Sequence, residues 1–318
     1  METFTGISVV IPVYNEDDNV LELYKKIKSI MSAQNKAYEI IFIDDGSTDN
    51  TFQDLSAIHE NDDRVKILRF RNNFGKAAAL SKGFEYAKGN IVITMDGDLQ
   101  DDPEEIPNFL DKINEGYDLV SGWKYDRKDP ITKTIPSKIF NILTRKITGV
   151  HIHDFNCGFK AYRSDVTKSI RIYGELHRYI PVIAFWKGYR VGEIKVKHHA
   201  RRHGKSKYGS RRLLKGFLDL ITIKFLSGFS ARPLHFFGTF GFLFFVSGFI
   251  ICLYLTIMHV LFIFEGVPEW EIRMRPLLLM GTLLIISGIQ LISVGLIGEM
   301  IYSLSKDDNT SMIIEVLE

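Results

Sequence analysis

Two stretches near the carboxyl end set the strongest limit on what this chain can fold into. No Asp, Glu, Lys or Arg stands between Arg232 and Glu265, and none between Arg275 and Glu299. At 1.5 Å rise per residue a helix crosses a hydrocarbon core of roughly 30 Å in about 20 residues, and each stretch is long enough. A soluble protein can bury one such helix, but two in succession with a short loop between them read as a membrane hairpin, with spans at about 234–260 and 276–299. Arg211, Arg212, Lys215, Lys224 and Arg232 precede the first span and Lys306 follows the second. The connecting loop sets Glu265, Glu269 and Glu271 against Arg273 and Arg275. The positive-inside bias therefore places both termini in the cytoplasm.

The net charge of +2 and a quarter of residues charged are ordinary averages over two unlike parts. Residues 1–210 mix charged and apolar residues as a soluble domain does, 211–232 read as a juxtamembrane amphipathic helix, 233–303 hold the spans, and 304–318 form a tail. The start, Met1-Glu2-Thr3-Phe4, is acidic and runs straight into a strand pattern rather than a leader, so the soluble part is expected to stay where it is made. The two cysteines, Cys157 and Cys252, lie in different regions and form no disulfide framework, which fits a reducing compartment. Cys157, between Asn156 and Gly158, reads as a packing residue rather than a nucleophile.

Within residues 1–210, apolar β-branched runs alternate with helical patterns. Strands are expected at Ile7–Val13, Glu39–Ile43, Val65–Phe70, Ile91–Met95 and Asp118–Ser121, and helices at Asp17–Met31, Thr51–His59, Lys76–Ala87 and Glu104–Asn114. That alternation predicts an α/β fold with a mostly parallel sheet and helices on both faces. Residues 133–148 place Ile135, Ile139, Ile142, Leu143 and Ile147 on one helical face among Lys133, Lys138, Arg145 and Lys146. Residues 211–229 repeat the pattern with Leu213, Leu214, Phe217, Leu218 and Ile221. Such helices lie in a headgroup plane or pack on their own domain.

In an open α/β sheet, ligands sit beyond the carboxyl ends of the strands. Three strand ends carry the chemistry: Pro12-Val13-Tyr14-Asn15-Glu16, Asp44-Asp45-Gly46-Ser47-Thr48-Asp49, and Asp96-Gly97-Asp98-Leu99-Gln100. Each alone could be a turn, but the fold brings them to one crevice. Asp96 and Asp98 repel one another unless a cation lies between them, and hard carboxylates suit Mg²⁺ or Mn²⁺ shared with substrate phosphates. Gly97 would leave room for a diphosphate. The chain has no Walker A sequence and no GxGxxG after its first strand, so metal-mediated phosphate recognition is expected instead.

These blocks resemble the signatures of family 2 glycosyltransferases of the GT-A, Rossmann-like fold. Asp154-Phe155-Asn156-Cys157-Gly158-Phe159-Lys160, the basic Arg201–Tyr208 segment and the two spans narrow the resemblance to polyprenyl-phosphate glycosyltransferases, among them bactoprenol glucosyltransferases and dolichol-phosphate mannose synthases. The resemblance implies an integral protein of a bacterial plasma membrane with a cytoplasmic catalytic domain. That domain would transfer a hexose, glucose from UDP-glucose before mannose from GDP-mannose, to undecaprenyl phosphate with inversion. It implies that Pro12, Tyr14 and Glu16 line the nucleoside pocket, that Asp45 contacts base or ribose, and that Lys76 approaches the nucleotide. Asp96 and Asp98 would hold metal and donor, Gln100 the sugar or acceptor, and Asp154 would position the acceptor or take its residual proton. Where the family often has Arg after the fifth strand, this chain has Lys124, with Arg127 nearby; Lys lacks the bidentate fork of Arg.

Nine Lys or Arg and no acid occupy Lys195–Lys215. The run abuts a span and has only Tyr208 for stacking, so an anionic headgroup or the acceptor phosphate is expected there rather than nucleic acid. Arg201, Arg202, Ser206, Lys207 and Lys124 are the residues expected near that phosphate. His198, His199 and His203 have no Cys or acidic companion at metal spacing, so zinc is not expected. Gly241, Gly248, Gly281, Gly288 and Gly295 allow close helix packing, within the hairpin or between protomers. A processive polysaccharide synthase would carry Gln-x-x-Arg-Trp and more spans. A non-catalytic nucleotide-binding scaffold would not need Asp96, Asp98 and Gln100 together, and a channel would need charge within the spans.

Overall fold

A computed structural model of the chain describes residues 6–125, 131–172, 174, 176–199, 233–265 and 275–304. The chain divides into two compact units, Met1–Ile221 with Thr310–Glu318, and Thr222–Asn309. Arg127, Arg201, Arg202, Ser206 and Lys207, the expected helix at 211–232 and the tail at 304–318 lie outside the described residues, apart from Leu304, which closes the last helix.

The first unit is built on β1 (Gly6–Val13), β2 (Ala37–Asp44), β3 (Val65–Arg69), β4 (Ile91–Thr94), β5 (Leu119–Lys124), β6 (Lys160–Arg163) and β7 (Val191–Val196). Their order across the sheet is β3-β2-β1-β4-β6-β5-β7. All pairings are parallel except those of β6 with β4 and β5. β1, β2 and β4 are buried almost throughout, as strands covered on both faces must be, which is why they read as unbroken apolar runs. Helix α1 (Asp17–Ala33) buries Val20, Leu23, Tyr24, Ile27 and Met31, a spacing that repeats every three to four residues. Helices α2 (Thr51–Asn61), α3 (Lys76–Tyr86), α4 (Ile106–Asn114), α5 (Ile131–Thr148), α6 (Ser164–Ser169) and α7 (Ile180–Trp186) complete the unit, with a 3₁₀ turn, Leu176–Tyr179, leading into α7.

The mostly parallel α/β expectation holds, and the first five strands fall within a few residues of their expected places. Two features differ. β5 runs on to Lys124 because it pairs with β7 along its whole length. β6 enters antiparallel between β4 and β5, so its first residue, Lys160, lies opposite Thr94 and Ser121 near the carboxyl ends of those strands. A lysine thereby reaches the rim where ligands bind in such sheets.

The second unit pairs α8 (Pro233–Glu265) with α9 (Arg275–Leu304). Pro233–Leu261 and Pro276–Ile301 are each long and apolar enough to cross a membrane. Only 17% and 11% of their most apolar windows are buried, so the outward surface is itself apolar, as lipid contact requires and a soluble core helix does not. The glycines act inside the hairpin. A Cβ on Gly248 would lie 2.5 Å from the Gly281 carbonyl oxygen, and one on Gly241 2.7 Å from that of Gly288. A Cβ on Gly288 would stand 2.6 Å from both the Gly241 oxygen and the Phe245 nitrogen. At the end of the pair, Glu299 Oε2 accepts from the Leu234 backbone N–H at 3.3 Å, satisfying an orphan donor of the first turn of α8. Gly288→Leu should therefore separate the helices and cost about 1–3 kcal/mol, read as faster proteolysis of the hairpin in detergent. Leu283→Ala, at a side chain 62% exposed, should leave it unchanged.

Candidate active site

Three loops at the carboxyl rim are tied together by backbone-directed hydrogen bonds. After β1, Asn15 adopts a left-handed φ of 52°. Its backbone N–H donates to Ser47 Oγ at 3.0 Å, and its Oδ1 accepts from Thr48 N at 2.8 Å. After β2, Asp44 Oδ1 accepts from Ser47 N at 2.8 Å, while both oxygens of Asp45 accept from the β3–α3 loop, Phe74 N at 2.7 Å and Gly75 N at 2.9 Å. Burial raises the Asp45 pKa despite those two donors. Gly46, at φ 75°, lies so close that a Cβ would sit 2.6 Å from the Asn72 backbone carbon. The result is a cleft of about 540 Å³ lined by Tyr14, Gly46, Ser47, Thr48, Arg69, Phe70, Arg71, Asn72 and Asn73.

Of Pro12, Tyr14 and Glu16, Tyr14 lines this cleft. Asp45 forms the cleft's frame through the β3–α3 loop. Glu16 is buried and accepts from Asn19 Nδ2 at 2.7 Å, and Pro12 stays within β1, in register with Ile43. Arg69, its guanidinium 3.9 Å over the Phe52 ring and 3.6 Å from Asp44, was not anticipated, nor was Arg71.

The second cluster surrounds Asp96. Lys76, the first residue of α3, pairs with Asp96 Oδ1. Gly158 lies against the same carboxylate: a Cβ there would be 2.5 Å from Oδ1 and 2.7 Å from Oδ2. Burial pushes the Asp96 pKa up, but Lys76, Lys124 and Lys160 together outweigh it and hold the carboxyl below the usual range. Lys124 is paired with Asp101 at 2.9 Å, with side-chain exposures of 9% and 0%. Burial disfavours its charge, yet the carboxylates beside it raise its pKa overall. Lys124, expected near the acceptor phosphate, is held inside the rim by Asp101. Lys160, 3% exposed, donates to the Cys157 carbonyl; burial lowers its pKa. The Cys157 thiol is buried and pushed up to about 12, first by desolvation, which fits a packing role and not a nucleophile.

Asp98 sits at the end of the same turn, 9% exposed, its Oδ1 accepting from Gln100 N at 3.2 Å. Leu99 between them is left-handed at φ 58°, a conformation that costs energy for a non-glycine residue and concentrates at functional turns. Gly97 has a different reason from the expected one. A Cβ there would meet Val13 Cγ1 at 2.7 Å, so the glycine lets the end of β4 close on the end of β1 rather than making room for a ligand. Gln100 is joined to the segment after β7, its carbonyl accepting from His199 N at 2.9 Å and its Nε2 donating to the His199 carbonyl at 3.4 Å. His199 Nε2 in turn lies 3.0 Å from Asp102 Oδ2. Asp154 is 3% exposed, with Oδ1 accepting from Asn156 N at 3.0 Å, and so shapes the loop that brings Gly158 to Asp96.

The 3₁₀ turn packs on α3 and adds two residues that the sequence reading missed. Arg178 is buried, and His177 lies within electrostatic reach of Lys76, Arg178, Lys160 and Asp96. The available signal was a basic pair set inside the apolar run Leu176–Ile183. Among the described residues no three His, Cys, Asp or Glu side chains gather as a metal cage. The candidate donor set is the Asp96/Asp98 pair, separated by Gly97 on the turn after β4. That donor set suits Mg²⁺ or Mn²⁺, which complete their shells with substrate phosphate and water.

Residues 8–171 match the family described as Glycosyl transferase family 2. The chain is 37% identical over 310 residues to the dodecaprenyl-phosphate galacturonate synthase of Rhizobium johnstonii, covering 96% of this chain and 90% of that one. It is 36% identical over 307 residues to the undecaprenyl-phosphate 4-deoxy-4-formamido-L-arabinose transferase of Edwardsiella ictaluri, covering 96% and 91%. In fold it is similar to glucosyl-3-phosphoglycerate synthase from Mycobacterium tuberculosis, solved with Mn²⁺ and UDP-glucose. That match has a TM-score of 0.54 and 19% identity, and covers 70% of this chain and 79% of that one.

Proposed function

The chain belongs to glycosyl transferase family 2 and is a glycosyltransferase, and from that premise we propose that it moves a sugar from a nucleotide-sugar donor onto a polyprenyl phosphate. The observation that carries this reading is the half-buried Asp96, paired with Lys76 and held in its charged form by Lys124 and Lys160 as well, on a chain that also holds two apolar helices. The cleft beside Tyr14 takes the nucleoside, and the Asp96–Asp98 turn takes the diphosphate.

In the reaction a lipid-phosphate oxygen attacks the anomeric carbon as the bond to the leaving diphosphate oxygen breaks. A phosphate monoester has a second pKa of about 6 and is already largely anionic at neutral pH. A strong general base is therefore not required, and Asp154 positions the loop around Asp96 instead. Lys76 meets the charge that grows on the diphosphate, and the buried Lys160 adds its field from within the protein, both as fixed cations already in place. A divalent metal, held through Asp98 with Asp96 beside it, would supply further neutralisation of that diphosphate.

The hairpin crosses a bacterial plasma membrane with the basic flanks, and hence the catalytic unit, on the cytoplasmic side. Helix α5 exposes Ile142, Leu143 and Ile147 while burying Thr144 and Thr148, which supports contact of that face with the headgroup region. For the sugar, glucose has the support of the sequence resemblance alone. The relatives at 36–37% identity are named for galacturonate and 4-deoxy-4-formamido-L-arabinose, so UDP-linked forms of those two precede UDP-glucose and GDP-mannose as donors to try. The test is nucleoside diphosphate release by the purified full-length protein with undecaprenyl phosphate and each donor in turn. One donor should exceed the others at least tenfold and only when the lipid is present. Release from none of them, or release indifferent to the lipid, contradicts the proposal.

A further inference from the structure

One side chain on the outward surface of α9 is out of place in lipid. Gln290 is exposed and lies close to the middle of the Pro276–Ile301 span, about 3 Å from it along the helix axis. The α9 residues that meet α8 include Gly281, Ile285, Gly288 and Ile292. At about 100° per residue, Gln290 is turned roughly 160–200° from Gly288 and Ile292, so its side chain leaves α9 on the side away from α8. The hydroxyls of Thr239, Thr256, Thr282 and Ser293 each donate to the carbonyl four residues back in their own helix. Among the described residues the Gln290 amide has no hydrogen-bond partner. Lipid tails, a polyprenyl chain included, offer it neither a donor nor an acceptor. The nearest interfacial water is about 15 Å away, farther than a glutamine side chain reaches.

Resting on the reading that the hairpin spans the membrane, we infer that this face of α9 is an interface with a second copy of the chain. The two Gln290 amides hydrogen-bond one another across a twofold axis along the membrane normal. A primary amide both donates and accepts, so it is its own complement in an isologous contact. Copies inserted with the same topology set their α9 helices parallel and their Gln290 residues at one depth. Any other membrane partner would need a polar group of its own at that level. Ile286 and Ile297 are exposed on the same face, one turn before Gln290 and two turns after it. Ser293 lies between, its hydroxyl already satisfied, and is small enough to let two helices approach. A single polar residue in such an apolar seam fixes the register of the pairing.

The test uses the full-length protein with Cys252→Ala, which leaves the buried Cys157 as the one native cysteine, in liposomes over a range of lipid dilutions. A cysteine is added at Ile297, on the proposed face, or at Leu296, which is also exposed but turned about 120° from Gln290. Under a mild oxidant Ile297→Cys should form disulfide-linked dimers and Leu296→Cys should do so far more slowly. Adding Gln290→Leu to Ile297→Cys should move half-maximal dimer yield to an about tenfold higher protein-to-lipid ratio, the size of one interhelical hydrogen bond, and Gln290→Asn should stay within about threefold. Unchanged dimer yield with Gln290→Leu, equal rates for Leu296→Cys and Ile297→Cys, or no dimer at any dilution overturns the inference. Alkaline extraction of the liposomes is scored first. A wild type that washes off overturns the reading of the hairpin as a membrane anchor and the interface with it, a failure distinct from that of an embedded monomer.

Discussion

Asp98→Ala is expected to lower sugar transfer to undecaprenyl phosphate about 10³-fold while the catalytic unit stays folded. The carboxylate sits on the turn after β4 beside the left-handed Leu99, a conformation that costs stability, and the proposed reaction assigns it to the charge of the leaving diphosphate. Its Oδ1 accepts from Gln100 N at 3.2 Å, and losing a hydrogen bond of that kind costs about 1 kcal/mol of stability. Thermal melting and initial rates on the same preparation separate the two effects. A variant that melts like wild type and still transfers at more than a tenth of its rate would remove Asp98 from the reaction.

Lys124→Met should act in the opposite way, on folding before chemistry. It strands Asp101, fully buried, without its cation, and breaking a buried pair from one side costs about 3–5 kcal/mol. For a domain of this size that lowers Tm by on the order of 10 °C. Asp101 also accepts from the Asp96 backbone N–H at 3.3 Å, so activity falls with it as the turn loosens. Adding Asp101→Asn removes the stranded charge and should restore at least half of the lost Tm. If Lys124→Met instead melted like wild type and only its KM for the lipid rose, Lys124 would be the acceptor-phosphate ligand that its position after the fifth strand first implied.

Asp45, Asp96 and Asp98 were legible in the sequence because each follows an unbroken β-branched run, and in a parallel sheet the end of such a run is a place in space. The hairpin was legible for a similar reason, since absence of charge over two long stretches leaves few alternatives. β6 was not, because its four residues follow the turn at Cys157–Phe159 and have no alternation of their own. Lys160 could therefore be quoted within a motif without its register opposite Thr94 being known. Lys76 was placed at the nucleotide, but its direct pairing with Asp96 depends on where α3 begins relative to β4. His177 and Arg178 come to the site through a 3₁₀ turn, which carries too short a period to announce itself. Gly97 and Gly158 carry the same residue for different reasons, contact with Val13 in one case and with Asp96 in the other. Only the packed backbone distinguishes them.

The most direct test of the central claim is a comparison of acceptors. Full-length protein is given its best donor with undecaprenyl phosphate, undecaprenol or inorganic phosphate, and the lipid and aqueous phases are both read by mass spectrometry. A glycosylated undecaprenyl phosphate, formed with release of one nucleoside diphosphate per sugar and absent for the other two acceptors, is the predicted result. Equal glycosylation of undecaprenol, or of inorganic phosphate alone, would contradict the assignment of a polyprenyl phosphate as the acceptor.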